Sequence, residues 1–269
     1  MNLGIYPIAS SSKGNCYLIR SEETIILLDA GIAGISINTA LKTIELSYHA
    51  MDGLLLTHEH IDHVRSSNSI MKYSKHCEMF CSSGTWDSIS GKIQDVYHER
   101  VNIVEKNQTF MVGDIEVTTF ALSHDAAEPI SYSFSKGGKK ISVITDTGKM
   151  TKEMDEVITD SDVLVIESNH EVNVLLYGRY PYLVKRRILS DVGHLSNESC
   201  GEAIVRFLKN QTHNKIPYVL LAHLSQENNT PEQAMLTVKN VLEENEFYVG
   251  RDLRMSVLKH NENNEYIII

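Results

Sequence analysis

Thr57-His58-Glu59-His60-Ile61-Asp62-His63 follows directly on the apolar run Gly53-Leu54-Leu55-Leu56. Imidazoles and a carboxylate at such turn-like spacing converge on first-row divalent ions, and His58, His60, Asp62 and His63 together can serve two of them. A solvated polar turn is the competing reading of the same residues. The run before the motif is short and fully apolar, which fits a strand buried on both faces.

Further runs of the same kind are Thr24-Ile25-Ile26-Leu27-Leu28, Ile141-Ser142-Val143-Ile144-Thr145, Asp162-Val163-Leu164-Val165-Ile166 and Tyr218-Val219-Leu220-Leu221-Ala222. Asp29, Asp146 and His223 stand where three of them should end, and His124 follows Leu122-Ser123. Ligands collected at the ends of neighbouring strands define one edge of a sheet. Each also has a plainer reading: a strand end for Asp29, a turn carboxylate for Asp146, a satisfied loop histidine for His124.

Helical patterns lie between the runs. Ile37, Leu41, Ile44 and Tyr48 share one face, a helix follows Ser196 or Asn197, and Thr230-Pro231-Glu232-Gln233 is a capping box with Pro at the first helical position. From about Val101 to Phe134 the sequence alternates as a strand meander does. Strands interleaved with helices predict a layered α/β chain, 1–269 as one domain, with no linker and no repeat.

The 269 residues carry 25 Lys+Arg against 35 Asp+Glu, a net charge of −10, so the whole-molecule field repels polyanions and any nucleic-acid partner needs a local basic patch. Cys16, Cys77, Cys81 and Cys200 form no Cys-x-x-Cys pair, which argues against a cysteine zinc site and for reduced thiols. Without a signal-peptide layout or a long apolar run, the expected setting is cytoplasmic, with no membrane.

Asp29, the His58-x-His60-x-Asp62-His63 cluster, His124, Asp146 and His223 resemble, in order, the five motifs of the metallo-β-lactamase superfamily. That resemblance implies an α/β (α+β) fold, a four-layered αβ/βα sandwich with a dinuclear site along one edge. It implies that His58, His60 and His124 bind one divalent ion, that Asp62, His63 and His223 bind the other, and that Asp146 bridges them. Asp29 is then expected to orient a ligand without touching metal. Zn²⁺ and Mn²⁺ both suit the set.

Within the superfamily, His at position 60 differs from the Glu of flavodiiron proteins, and Asp146 from the Cys of many exported β-lactamases. Gly193-His194-Leu195-Ser196 resembles the Gly-His of ribonuclease Z and the cyclic-phosphate phosphodiesterases, where a non-ligand histidine serves the scissile phosphate; the plainer reading of His194 is a helix cap. Ser10-Ser11-Ser12-Lys13-Gly14-Asn15-Cys16, Ser123-His124-Asp125-Ala126-Ala127-Glu128-Pro129, Glu167-Ser168-Asn169-His170, Gly193 to Asn197 and His223-Leu224-Ser225 are similar to the YycJ/WalJ group of exonucleases. Only 48 positions separate Asp146 from His194, which leaves no room for the β-CASP domain of larger nucleases.

The expected activity is that of a phosphodiesterase, a 5′-to-3′ DNA exonuclease, in which a metal-bound hydroxide attacks phosphorus. Catalysis is expected of His194, Asp62 and Asp146. Substrate contacts are expected of Arg179, Tyr180, Lys185, Arg186 and Arg187, a basic and aromatic stretch in an acidic chain, and of Ser12 and Lys13. The same stretch also reads as a solvated helix face. His170 either lines the site or is structural, Cys77 and Cys81 suggest packing, and a homo-oligomer is left open. The alternatives are a small-molecule hydrolase of the same fold, cutting cyclic phosphates or thioesters, and a non-catalytic protein with structural metals.

Overall fold

The computed structural model describes residues 2–258 and 264–269, and the chain groups into two compact units. The first holds Met1–Ala121, Ala126–Lys139 and Lys259–Ile269, the second Leu122–Asp125 and Lys140–Leu258.

In the first unit, β1 (Gly4–Ser11), β2 (Gly14–Arg20) and β3 (Ile25–Leu28) run antiparallel in sequence. After α1 (Gly34–Thr43) the direction is kept, and β4 (Gly53–Leu55) lies parallel to β3. Helices α2 (Ile61–Val64) and α3 (Ser67–Tyr73) lead to β5 (Glu78–Cys81), and α4 (Ser83–Ile89) to β6 (Val101–Ile103), both strands again parallel. Parallel neighbours need crossovers, and each crossover here packs apolar side chains on the sheet. Ile37 and Leu41 of α1, Ile70 and Met71 of α3 and Ile89 of α4 join Leu18, Leu27, Leu54 and Met79 in one buried core.

Three antiparallel strands follow, β7 (Thr109–Val112), β8 (Ile115–Ala121) and β9 (Ile130–Lys136). The meander expected from Val101 therefore starts later, because Val101–Ile103 finds its partner in β5 instead. Buried Tyr132 of β9 donates its hydroxyl to the Leu56 carbonyl at 2.8 Å, just beyond the end of β4.

The second unit has β10 (Lys139–Ile144), α5 (Lys152–Ile158), β11 (Val163–Glu167), α6 (Val172–Tyr177), α7 (Tyr182–Ile188), α8 (Asn197–Lys209), β12 (Tyr218–Ala222), α9 (Pro231–Glu244) and β13 (Arg254–Val257). β10, β11, β12 and β13 run parallel in that order. The chain ends in β14 (Ile267–Ile268), which pairs with β1 in the first unit.

Thr230 caps α9 with its hydroxyl accepting from the Gln233 N–H at 3.1 Å, but the return arm of the expected capping box is replaced: the Thr230 N–H donates to Asn229 Oδ1 at 3.0 Å and the Gln233 side-chain amide to Thr237. Helix α8 begins where expected, with Ser196 as its cap through the Ser199 N–H. Helix α1 is shorter than its apolar spacing suggested: Ile44 is already its C-cap and Tyr48 starts a separate 3₁₀ turn. Among the described residues, no helix is long and apolar enough to cross a membrane.

Candidate active site

In the first unit the histidine motif begins where β4 ends. Thr57, His58 and His63 are buried, and His60 is the N-cap of the short helix α2, so the chain turns sharply enough to bring alternate side chains together. The His58 and His63 ring centroids are 4.1 Å apart, those of His58 and His60 4.6 Å. Asp62 Oδ2 stands 3.7 Å from His63 Nε2.

Buried Asp29, the residue after β3, organises this cluster. Its Oδ2 lies 2.7 Å from His63 Nδ1, and its Oδ1 accepts the Thr57 N–H at 2.9 Å. Holding Nδ1 as the donor leaves the imidazole lone pair on Nε2, the form a metal needs. Nε2 is met by the Asn15 side-chain amide at 3.1 Å. Burial pushes the Asp29 carboxyl up from its ordinary value, opposed by the His63 imidazole and the Thr57 hydrogen bonds.

Gly31 makes this arrangement sterically attainable. A Cβ there would stand 1.5 Å from the Asp62 carbonyl oxygen, while the Ala30 N–H donates to the His63 carbonyl at 2.7 Å.

In the second unit, Glu167 ends β11 and is fully buried. Its Oε1 accepts from His194 Nδ1 and from His223 Nδ1, both at 2.7 Å, while Oε2 accepts the N–H groups of Thr147 at 3.0 Å and Leu195 at 3.3 Å. Burial alone would raise this carboxyl. The imidazoles of His194 and His223 outweigh it and hold the pKa at about 2, so the group stays ionised.

Asp146 Oδ1 lies 3.4 Å from His223 Nδ1, 3.8 Å from His194 Nδ1 and 3.9 Å from His124 Nε2. Asp146, Glu167, His194 and His223 each offer a ligand atom within 4.8 Å of the others. His124 Nδ1 faces the Gly193 carbonyl at 3.1 Å, and burial lowers its imidazole below the usual value against the pull of Asp146. Of the three imidazoles, His194 is the one solvent reaches, its side chain 16% exposed against 1% for His124 and His223.

Asp29, Asp146 and His223 share a backbone signature, with φ of 60°, 59° and 55° just beyond the ends of β3, β10 and β12. Left-handed backbone at a residue other than glycine is uncommon and costs about 1–3 kcal/mol, and it collects where side chains must be aimed.

Of the expected substrate contacts, Ser12 and Lys13 form the exposed turn between β1 and β2. Arg179 is exposed and Tyr180 half-buried. Lys185 and Arg187 are engaged internally: Lys185 Nζ donates to the carbonyls of Leu176 and Gly178 at 2.8 and 2.7 Å, and Arg187 Nη2 to Asp125 Oδ1 at 2.9 Å. Arg186 lies over the Tyr182 ring. Burial pushes the Cys77 and Cys81 thiols up to about 12, which makes them inert packing residues. Glu167 is a site residue that lies outside the short-spaced histidine and aspartate motifs. Its signal was an acidic residue closing an apolar run, the same signal that marked Asp29.

The donor types suit metal ions: in the second unit Asp146, Glu167, His194 and His223 offer ligand atoms close enough to share one, and in the first His58, His60, Asp62 and His63 are gathered at the end of β4. Buried imidazoles are oriented through Nδ1 by carboxylates, and carboxylate oxygens lie beside them, which is how proteins prepare histidine ligands.

Residues 24–217 match the Beta-lactamase superfamily domain. The chain is 38% identical over 251 residues to "Exodeoxyribonuclease YycJ" of Bacillus anthracis, covering 93% of each chain. It is 36% identical over 251 residues to "Exodeoxyribonuclease WalJ" of Streptococcus pneumoniae, covering 92% of this chain and 91% of that one. The metallo-beta-lactamase fold protein YhfI from Bacillus subtilis superposes with a TM-score of 0.75 at 14% identity, covering 99% of both chains. Fold class and sequence thus agree with the expectation raised by the motifs: the chain is a metal-dependent hydrolase that belongs to the beta-lactamase superfamily, among the relatives of YycJ and WalJ.

Proposed function

We propose that this protein is a dinuclear-metal phosphodiesterase that degrades DNA from the 5′ end. The observation that carries the reading is Glu167, which takes Nδ1 of both His194 and His223 on one oxygen. One imidazole is thereby set up as a ligand, and the other, partly exposed, is held by the same carboxylate without being buried with it. A phosphodiesterase needs that pairing, because the leaving oxygen must receive a proton close to the metal.

The ligand assignment follows the family pattern. His58, His60 and His124 would hold one ion and Asp62, His63 and His223 the other, with the Asp146 carboxylate available to both. Bound Zn²⁺ or Mn²⁺ would activate water and neutralise charge building on the phosphate. Asp29 fixes the His63 ring and Glu167 the His223 ring, so that each keeps its lone pair on Nε2. Asp62 and Asp146 supply the acidic oxygens, and His194 delivers the proton to the departing sugar oxygen.

DNA is favoured as substrate because both curated relatives are named exodeoxyribonucleases. Arg179, Tyr180 and Arg186 would meet it directly, Lys185 and Arg187 would brace the segment that carries them, and Ser12 and Lys13 would offer a further contact. A cytoplasmic setting fits four buried, reduced thiols. A test is to strip the protein with EDTA, confirm the loss of metal by mass spectrometry, and restore it with Mn²⁺ or Zn²⁺ in the presence of 5′-phosphorylated DNA. Cleavage should vanish on stripping and return on loading; cleavage that persists in the metal-free protein contradicts the reading.

A further inference from the structure

Helix α7 buries none of its seven residues. A helix this short is marginal in water without a packed face, yet its apolar side chains point outward: Tyr182 and Leu183 are 70% and 75% exposed, and Tyr177, at the end of α6, is 89% exposed. The segment is held from beneath by polar ties instead. Lys185 clamps the end of α6 through the carbonyls of Leu176 and Gly178, and Arg187 is paired with Asp125.

With those two cations engaged, Arg179 and Arg186 are the ones left to face a partner. The Arg186 guanidinium lies 5.8 Å from the Tyr182 ring centroid, so a phosphate contact and an aromatic surface stand side by side. In a chain of net charge −10 this is a local positive patch, complementary to a polyanion. Exposed tyrosine rings stack on unpaired bases, and an apolar side chain such as Leu183 can wedge between bases and open a stack. The platform is also tied to the proton donor: the His194 N–H donates to the Ile188 carbonyl at 3.0 Å, and a Cβ on Gly193 would come within 2.2 Å of that same oxygen.

We propose that the exposed face of α6 and α7 is a platform for the unpaired 5′ end of a DNA strand. Tyr177 and Tyr182 take the bases, Leu183 parts the end of the duplex, and Arg179 and Arg186 take the phosphates. The proposal rests on the nucleic-acid reading above and assigns it a surface.

The experiment measures binding without turnover. In EDTA, fluorescence anisotropy follows a 5′-phosphorylated single strand titrated with wild type, with the triple variant Tyr177→Ala/Tyr182→Ala/Leu183→Ala, and with Arg179→Ala/Arg186→Ala. Sedimentation velocity and thermal melting report assembly and folding of each. The triple variant should melt like wild type and bind the strand at least about tenfold more weakly. The double variant should lower the slope of log K against log salt by about 1.4. A triple variant that binds as tightly as wild type overturns the proposal. So does a wild-type dimer that the triple variant breaks while DNA affinity stays unchanged, which would make this face an interface between copies. A protein that binds the strand but cuts no DNA when loaded with metal leaves the platform standing and sinks the nuclease reading instead.

Discussion

His194 and His223 present Nδ1 to the same atom, Glu167 Oε1, each at 2.7 Å. In the proposed mechanism this one carboxylate aligns both a ligand and a proton donor, so losing it should disturb metal binding and turnover together. Glu167→Gln keeps the shape but cannot accept two imidazole N–H groups as a charged partner. Metal affinity by calorimetry should fall about 10–100-fold, and kcat by a similar factor. Unchanged affinity with lost turnover would confine Glu167 to His194.

His194 should matter in proportion to the leaving group. His194→Ala is expected to lower kcat on DNA by about 10²–10⁴, with a much smaller loss on a p-nitrophenyl phosphodiester, whose leaving oxygen needs no proton. Equal losses on both substrates would assign His194 to phosphate binding or to metal instead.

Gly31→Ala tests how the two strand-end loops of the first unit fit together. A Cβ placed 1.5 Å from the Asp62 carbonyl forces the loops apart. The variant should lose about 1–3 kcal/mol of stability and bind metal more weakly. A variant with wild-type melting and wild-type metal content would show that the loop relaxes freely.

His170 is buried with no hydrogen-bond partner for either ring nitrogen among the described residues, and burial pushes its pKa down to about 4. A histidine whose folded pKa lies below its unfolded value of about 6.5 favours the fold when neutral. Its share of stability is therefore complete above about pH 6.5 and is lost as pH falls toward 4. His170→Phe removes both the titration and an unsatisfied polar group worth about 1–3 kcal/mol. The variant should melt several degrees higher at pH 7, and its Tm should fall less between pH 6.5 and pH 4. A lower Tm at pH 7 would mean that His170 has a polar partner.

Much of this was legible in the sequence for a simple reason. A buried parallel strand is a short apolar run, and the polar residue that closes it sits at the sheet edge, so Asp29, Asp146 and His223 could be read as ligand candidates from position alone. Glu167 obeys the same rule but falls outside the short-spaced motif, and its role shows only when His194 and His223 are seen on one oxygen. The intramolecular ties of the basic stretch were hidden, because the partners of Lys185 and Arg187 are carbonyls and a carboxylate that no local pattern reveals. The β6 pairing was equally hidden, since three residues carry too little periodicity to tell a meander from a parallel edge. The positive φ at the strand ends is compatible with Asp and His, which tolerate it better than most residues, but the residue type alone does not reveal it.

The central claim is metal-dependent cleavage from a 5′ end. The direct measurement incubates Mn²⁺-loaded wild type and Asp146→Ala with 5′-phosphorylated, 3′-labelled duplex DNA and resolves the products over time on a denaturing gel. The account predicts a ladder of labelled strands that shortens progressively with wild type and stays full length with Asp146→Ala. Full-length strands with both proteins, or equal shortening by both, would contradict it.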